Sequence, residues 1–378
     1  MSPPAPHNQI RYEALDGIRG YAALIVIVYH CLLALDPQIW HKFDKLSILD
    51  VQNLNEFLSK IALTLFNGDA AVVIFFILSG FVLGQSLLRD LSRYEALSAI
   101  GAFLIRRFLR LYPALLAALV GTVAIIAASF WLFSVPFSGF YFGPMNFVRN
   151  ALLISPEISG ITWSILIEFA AIPYIIIACY FIYKSGYIIA ILFVFVALIA
   201  RDNKIITLHF LKFHLYILCF ALGVLMCTSI GDRIARGVGS INKTLIFGAF
   251  LGVSLFWSNS AVQIVLGYLW LSSFLHAQDG WTTALSSRIS LYFGRISYGL
   301  YLWHYPFAVS IYTPFAIFYP EALSDRAIWF GLLTAPLIIP VTIVLAHFSE
   351  RFLERPFIAL GYQLSQGLQR PQSQPLSR

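Results

Sequence analysis

Long apolar stretches alternate with short polar ones along most of this chain. An α-helix needs about 20 apolar residues to cross a bilayer, and runs close to that length are bounded by charged residues and by Pro and Gly clusters. The pattern predicts ten helical spans, of which the fifth and seventh are short. Their expected limits are 15–35, 69–88, 111–133, 162–183, 187–200, 208–228, 244–258, 260–276, 296–316 and 328–350.

A few ionisable residues interrupt these apolar runs. The first run, "LDGIRGYAALIVIVYHC", carries Arg19 and His30, and an ionisable residue is costly in a bilayer unless it faces protein or a wet cavity. The rise of a helix puts His30 roughly 16 Å deeper than Arg19, near the middle of a hydrocarbon core about 30 Å thick. Ser79, Glu168 and His304 reach comparable depths in later spans, so we expect a shared polar cavity in the central layer.

The composition fixes the class of protein. The 378 residues are 59% hydrophobic and 11% charged, with a mean hydropathy of +0.80, whereas soluble domains carry about 25% charged residues. We therefore predict an all-α, polytopic integral membrane protein. The net charge of +7 does not indicate nucleic acid, because excess Lys and Arg in a membrane protein mark cytoplasmic loops. With alternating spans, 17 of the 25 Lys and Arg fall on the side of the N-terminus, which predicts that both termini are cytoplasmic.

The domain organisation is expected to be simple. We predict a cytoplasmic segment over 1–14, one transmembrane domain over 15–357, and a polar, disordered tail over 358–378. The first span lacks a good cleavage site, so we expect it to be retained. The four cysteines lie in apolar runs and predict neither a disulfide framework nor a metal site. No phosphate-binding loop or dinucleotide-binding motif occurs.

Arginines cluster around one predicted cytoplasmic loop. "FLIRRFLRLYP" contains Arg106, Arg107 and Arg110, and "LLRDLSRY" adds Arg89 and Arg93. Guanidinium groups match phosphate oxygens, so the five side chains could neutralise a multiply phosphorylated ligand. The alternative is that they are ordinary membrane anchors that contact lipid phosphates.

Each of the other polar residues also has a purely structural alternative. His30 could make a helix-packing hydrogen bond, and Glu168 could be the buried partner of an arginine or a histidine. Ser79 is a small residue of the kind that fills helix contacts, and His304 precedes a helix-kinking proline. Trp163 could belong to an aromatic belt at the membrane interface.

Several motifs together resemble the membrane acyltransferase 3 family. The first span, with an arginine, ten residues and then a histidine, is similar to the family's signature. "FFILSGFVL", "RRFLR", "TWSILIEF", "GRISYGLYLWHYPF" and "ERFLERPF" resemble later blocks in the same order. The resemblance extends from about Leu15 to Phe357. This chain departs from the family pattern before "FFILSGF" and after Glu168, where many relatives carry further polar residues. Because of these departures, the resemblance does not imply a particular acceptor.

The resemblance implies an activity and a set of site residues. Such proteins transfer an acyl group, often acetyl, from cytoplasmic acyl-CoA to sugars, lipids or antibiotics, and many modify envelope glycans. For this chain, the expected acceptor is a hydroxyl of a saccharide or glycolipid of the cell envelope. Arg19, His30 and Glu168 would form the catalytic centre. The resemblance implies that Arg106, Arg107 and Arg110 contact the donor, and the charge pattern of the loop adds Arg89 and Arg93 to this donor-binding set. The supporting residues that we expect from the depth and motif positions are Ser79, Trp163, Ser164, His304 and Tyr305.

Two chemical routes and two functions remain open from the sequence. His30 could act as a general base on the acceptor hydroxyl or carry the acyl group itself. The alternative function is a transporter or an acyl-passing module, in which His30 and Glu168 form a relay. We expect acetyl-CoA as donor substrate, no tightly bound cofactor or metal, and no nucleic acid partner. The expected location is a bacterial inner membrane, and a homo-oligomer is compatible with the sequence.

Overall fold

The structure is a computed structural model that describes residues 12–33, 42–43, 46–134, 143–156, 158–203, 213–256, 260–319 and 327–371. It is α-helical, and these residues contain no strand. The helices are α1 (Glu13–Leu33), a 3-10 turn (Ile48–Asp50), α2 (Leu54–Leu65), α3 (Gly68–Leu91), α4 (Ala96–Leu132), α5 (Pro144–Ala151), α6 (Thr162–Ser185), α7 (Ile188–Asn203), α8 (Phe213–Leu225), α9 (Ser229–Gly239), α10 (Lys243–Phe256), α11 (Ser260–Ser272), α12 (Gly280–Leu285), α13 (Arg288–Phe318), α14 (Ala327–Ser349), a π-helical turn (Glu350–Glu354) and α15 (Arg355–Gln366).

Side-chain caps explain where several of these helices begin. Asn67 accepts a hydrogen bond from the Ala70 amide ahead of α3, and Ser287 accepts one from Ser290 ahead of α13. Each cap satisfies one of the amide groups that have no partner within the first turn. The polar residues that separate the apolar runs therefore also define the helix starts.

The helices fit a membrane protein. Five continuous helical stretches of the described residues are long and apolar enough to cross a bilayer, and α8 with α9, which are bent by 89°, would make a sixth. Each of the ten segments that we predicted as spans lies mostly in a helix over its described residues, although α8 and α11 end at Leu225 and Ser272, before the predicted limits of 228 and 276. The count of ten spans and the cytoplasmic location of both termini stay predictions.

Close contact between α1 and α13 organises the centre of the molecule. These two helices share the most extensive interface, and α1 also packs on α14 and α3. A Cβ atom at Gly20 would lie 2.5 Å from the Gly294 amide nitrogen, and one at Gly294 would lie 2.2 Å from the Asp16 carbonyl oxygen. Only glycine permits this approach, which brings the two backbones together on the level of Arg19.

The C-terminal region differs from the prediction of a disordered tail over 358–378. Helix α15 continues to Gln366, so that prediction is wrong over this part, and residues 372–378 lie outside the described range. Tertiary contacts explain the order. The helix packs on α4, the Glu95 amide donates to the Arg370 carbonyl at 3.0 Å, and the Arg370 amide donates to Ser98 at 2.8 Å.

Candidate active site

A cavity of about 330 Å³ lies where the beginnings of α1 and α4 meet the end of α3 and α15; we refer to it as the basic cavity. Its lining residues include Asp16, Tyr12 and Tyr362. Five of the lining residues are arginines, namely Arg19, Arg89, Arg106, Arg107 and Arg110.

The positive charge of these arginines is partly neutralised. Buried Asp90 forms an ion pair with Arg106 and lies 3.6 Å from Arg89 Nε. Arg19 donates to Asp16 at 3.0 Å, and Arg107 pairs with Glu168. A carboxylate that already binds an arginine reduces the charge available to a ligand.

Arg110 is different from its neighbours. Its side chain is exposed and makes no ion pair or hydrogen bond with any residue within the described ranges. It lines the basic cavity together with the paired arginines. Among the cavity arginines in the described part of the chain, it is the one whose guanidinium group is not engaged in an ion pair.

A second, smaller cavity of about 130 Å³ adjoins the first; we refer to it as the inner cavity. Arg19, Arg107 and Arg110 line both cavities, so these side chains form the passage between them. Apolar residues of α3, including Phe75 and Phe76, make up much of the inner wall.

Glu168 is fixed in the wall of the inner cavity. It accepts hydrogen bonds from Arg107 and from the Ser79 hydroxyl, which joins helices α3, α4 and α6. The Arg107 and Glu168 side chains are only 9% and 19% exposed. Glu168 is therefore the largely buried partner of an arginine, which was the structural alternative that we gave for it. It also lines the inner cavity.

Ser164 and Tyr301 close the far end of the inner cavity. Their hydroxyl groups lie 2.7 Å apart, and the Tyr301 hydroxyl donates to the Ile161 carbonyl at 2.9 Å. The Tyr301 ring lies 6.4 Å from the ring of Phe75 and 5.8 Å from that of His304, measured between centroids. Tyr301 therefore stands between the inner cavity and the histidines of α1 and α13.

His30 and His304 contact each other directly. His30 Nδ1 lies 3.1 Å from His304 Nε2 and 3.0 Å from the Val26 carbonyl oxygen. His304 is completely buried, and its Nδ1 lies 3.1 Å from the Leu300 carbonyl oxygen. Neither histidine lines the inner cavity. We predicted one polar cavity shared by all four side chains. The structure instead separates them into two neighbouring pairs, Ser79 with Glu168 and His30 with His304.

The remaining predicted residues lie around these groups. Trp163 packs against Phe76 and Tyr216, with ring centroids 6.4 and 5.5 Å apart. The Tyr305 hydroxyl lies close to Gly160, where a Cβ atom would be 3.3 Å away. Arg93 is exposed and lines neither cavity, so the structure does not bring it together with the other four arginines of the donor-binding set.

Two cavity residues, Tyr301 and Tyr362, and the buried partner of a cavity arginine, Asp90, were missed by the sequence analysis. Asp90 lies between Arg89 and Arg93 in "LLRDLSRY", and an acid within an arginine cluster is a signal that could have been used. Tyr301 is three residues before His304, one turn away on the same helix face. Tyr362 lies in the segment predicted to be disordered, and no local pattern indicated its position.

Comparisons with known proteins are consistent with one another. The sequence model of a family described as an acyltransferase domain matches residues 12–347. Proteins named "Putative O-acetyltransferase" in Staphylococcus aureus strains COL, MRSA252 and N315 are 21% identical over 93% of this chain. The alignment covers 58% of those proteins, so this chain spans less than two thirds of their length. No solved structure matches the chain.

Proposed function

Because the chain belongs to the acyltransferase domain family that matches residues 12–347, we propose that it is a membrane-bound O-acyltransferase. It transfers an acyl group, with acetyl as the expected one, from acyl-CoA to a hydroxyl of a saccharide or glycolipid of the cell envelope. The observation that carries this proposal is the order of Arg19 and His30 along α1. Arg19 lines the passage between the basic and inner cavities, and His30 lies about three turns further along the same helix.

The donor's charged end is proposed to bind in the basic cavity. Arg110, which has no ion-pair partner among the described residues, would take a phosphate of CoA, with Arg19 and Arg89 beside it. Guanidinium groups bind phosphate oxygens through two parallel hydrogen bonds. The slender pantetheine arm would then extend past Arg19 into the inner cavity, which leads toward Tyr301 and the histidines. The basic cavity would open to the cytoplasm, where acyl-CoA is present.

His30 is proposed to catalyse the transfer. As a general base, its Nε2 takes the proton of the acceptor hydroxyl while the hydroxyl oxygen attacks the thioester carbonyl carbon. The C–S bond then breaks, and the CoA thiolate recovers the proton from His30. In the second route, Nε2 attacks the thioester carbonyl carbon first, and the C–S bond breaks to release the CoA thiolate. The acceptor hydroxyl then attacks the acyl-imidazole, which frees Nε2, and its proton ends on the CoA thiolate. Both routes need an unprotonated Nε2.

Glu168 is proposed to shape the site as a fixed anion. Arg107 and Ser79 already donate to it, so its carboxylate is held in one orientation. It can accept hydrogen bonds from hydroxyl groups at the inner cavity. We therefore propose that Glu168 orients substrate groups and that Arg107 orients Glu168.

Donor competition tests this proposal. Protein in nanodiscs would be loaded with radiolabelled acetyl-CoA and then challenged with unlabelled CoA or with pantetheine, which has no phosphates. We expect CoA to displace the label at far lower concentration than pantetheine, because the arginines bind phosphate. Equal potency of the two competitors would contradict phosphate recognition in the basic cavity, and absence of any specific binding would contradict acyl-CoA as donor.

A further inference from the structure

We propose that His304 is a positioning residue for His30: it accepts the Nδ1–H of His30 and so holds Nε2 unprotonated and aimed at the substrates. This inference rests on the proposed function and names the group that acts through His30. His304 would touch neither the acyl donor nor the acceptor.

The contacts connect two different helices. His30 lies on α1 and His304 on α13, and the facing nitrogens are 3.1 Å apart. The rings are tilted by 32° with centroids 5.0 Å apart, which is a hydrogen-bond geometry rather than a stacked one. The α1 and α13 backbones approach closely because of Gly20 and Gly294. The histidine contact is therefore set by the helix pair that shares the most extensive interface within the described ranges.

Two carbonyl groups determine which ring nitrogens carry the protons. A carbonyl oxygen only accepts hydrogen bonds, so the contact of His304 Nδ1 with Leu300 puts a proton on that nitrogen. In the neutral ring, His304 Nε2 is then an acceptor. His30 Nδ1 faces this acceptor and the Val26 carbonyl oxygen, so it must carry the proton that both can accept.

The opposite arrangement is unfavourable. If both rings carried their protons on Nε2, His304 could still donate to His30, but both Nδ1 lone pairs would face the carbonyl oxygens of Val26 and Leu300. Unmade hydrogen bonds of buried polar groups are costly, because those groups have also lost their contacts with water. The hydrogen-bond pattern thus selects one tautomer for each ring and leaves the lone pair of His30 on Nε2.

This arrangement leaves Nε2 of His30 with a lone pair that can accept a proton. Nε2 makes no hydrogen bond with any residue in the described part of the chain. When it takes a proton from an acceptor hydroxyl, the ring becomes an imidazolium whose Nδ1–H still points at two acceptors. His304 then accepts from the charged ring and keeps its orientation, which is the positioning part of the role that a carboxylate has in a serine–histidine–aspartate triad.

Three substitutions of His304 test the inference. The amide oxygen of His304→Gln reaches the position of Nε2 and can accept from His30, whereas the shorter side chain of His304→Asn reaches only the position of Nδ1. His304→Phe keeps the volume and removes both nitrogens. We expect kcat to fall on the order of 100-fold in the Asn and Phe variants and much less in the Gln variant. The KM for the donor should stay unchanged in all three, since His304 lies outside both cavities.

A second histidine provides the matched control. His347 lies on α14 and contacts Tyr292 at 3.4 Å, outside both cavities. We expect His347→Phe to keep the kcat of the wild type. Equal kcat for the Gln and Asn variants, or wild-type kcat in the Phe variant, would overturn the positioning role. Absence of transfer in the wild type itself would instead contradict the proposed function.

A spectroscopic measurement tests the inference without turnover. Nitrogen-15 NMR of histidine-labelled protein distinguishes protonated from unprotonated ring nitrogens, and a His30→Ala spectrum identifies the signals of His30. We expect a protonated Nδ1 and an unprotonated Nε2 for His30, with the Nδ1 signal displaced in His304→Phe but not in His347→Phe. A His30 ring protonated on Nε2, or one insensitive to His304→Phe, would overturn the inference.

Discussion

Arg107 and Glu168 form an ion pair that joins α4 to α6 in the wall of the inner cavity. The pair removes Arg107 from the positive charge available to phosphates and gives Glu168 a fixed position. Arg110, one turn further along α4, has no such partner in the described residues. Neighbouring arginines of one motif therefore have different tasks, which single substitutions can separate.

Breaking the ion pair from one side should destabilise the protein. Arg107→Met leaves the Glu168 carboxylate without its cation, and removing one partner of a buried pair costs about 3–5 kcal/mol. Replacing both residues by methionine removes the unpaired charge, so the double variant should be more stable than the sum of the two single effects predicts. Thermal unfolding in detergent, arranged as a double-mutant cycle, measures the coupling. Additive losses would show that the two side chains act independently.

Removing Arg110 should weaken donor binding. Because it forms no ion pair within the described ranges, we expect Arg110→Ala to raise the KM for acetyl-CoA about tenfold or more with little change in kcat, which corresponds to roughly 1.4 kcal/mol or more. Steady-state kinetics at several salt concentrations would measure the effect. Arg93→Ala is the matched control, since Arg93 is exposed outside both cavities. Equal KM changes in the two variants would indicate a general loss of surface charge.

The glycine contact between α1 and α13 should be needed for both stability and activity. A Cβ atom at Gly20 would lie 2.5 Å from the Gly294 nitrogen, so Gly20→Ala must push the helices apart and disturb the histidine contact between them. We expect a lower unfolding temperature and a lower kcat. Gly248→Ala on α10 is the control, because a Cβ atom there meets nothing within 4 Å. A Gly20→Ala variant as active and stable as Gly248→Ala would contradict this account of the packing.

An ion pair between the loop that follows α11 and the start of α10 predicts a pH effect on stability. Burial raises the pKa of Asp279, but hydrogen bonds from Lys243 and Thr282 outweigh it and lower the pKa from 3.8 to about 2. A carboxyl group with a lowered pKa stabilises the fold above its ordinary pKa. The contribution should therefore be complete above about pH 4 and disappear as the pH falls toward 2.

The variant Asp279→Asn measures this contribution. Its unfolding temperature should be lower than that of the wild type by a constant difference at neutral pH, and the difference should shrink between about pH 4 and pH 2. Lys243 Nζ lies 2.6 Å from Asp279 Oδ2, but Asp279 is partly exposed, so salt should also reduce the difference. A difference that is independent of pH would contradict this account of the lowered pKa of Asp279.

The sequence predicted those features that depend on the position of a residue along its own helix. The spacing of Arg19 and His30 on one apolar run predicted a helix with two functional levels, and both residues lie on α1. Depth arguments also predicted that polar side chains of distant spans meet, as Ser79 does with Glu168 and His30 with His304. The bilayer makes isolated polar groups costly, so such pairing follows from the apolar pattern.

The sequence could not supply the partners that depend on helix rotation. Depth gives the level of a side chain along a helix but not the direction in which it points, so one central cavity was expected where the structure has two groups. The same limit hid the pairing of Arg106 with Asp90 and of Arg107 with Glu168. The order of α15 arises from contacts with α4, which a polar composition alone does not reveal.

The most direct test of the central claim compares wild type and His30→Ala in nanodiscs with radiolabelled acetyl-CoA and an envelope saccharide. The quantities measured are bound donor, released CoA and acetylated saccharide, with thermal unfolding as the check on folding. The account predicts that both proteins bind the donor and that only the wild type releases CoA and acetylates the saccharide. A folded His30→Ala protein with wild-type turnover would contradict it.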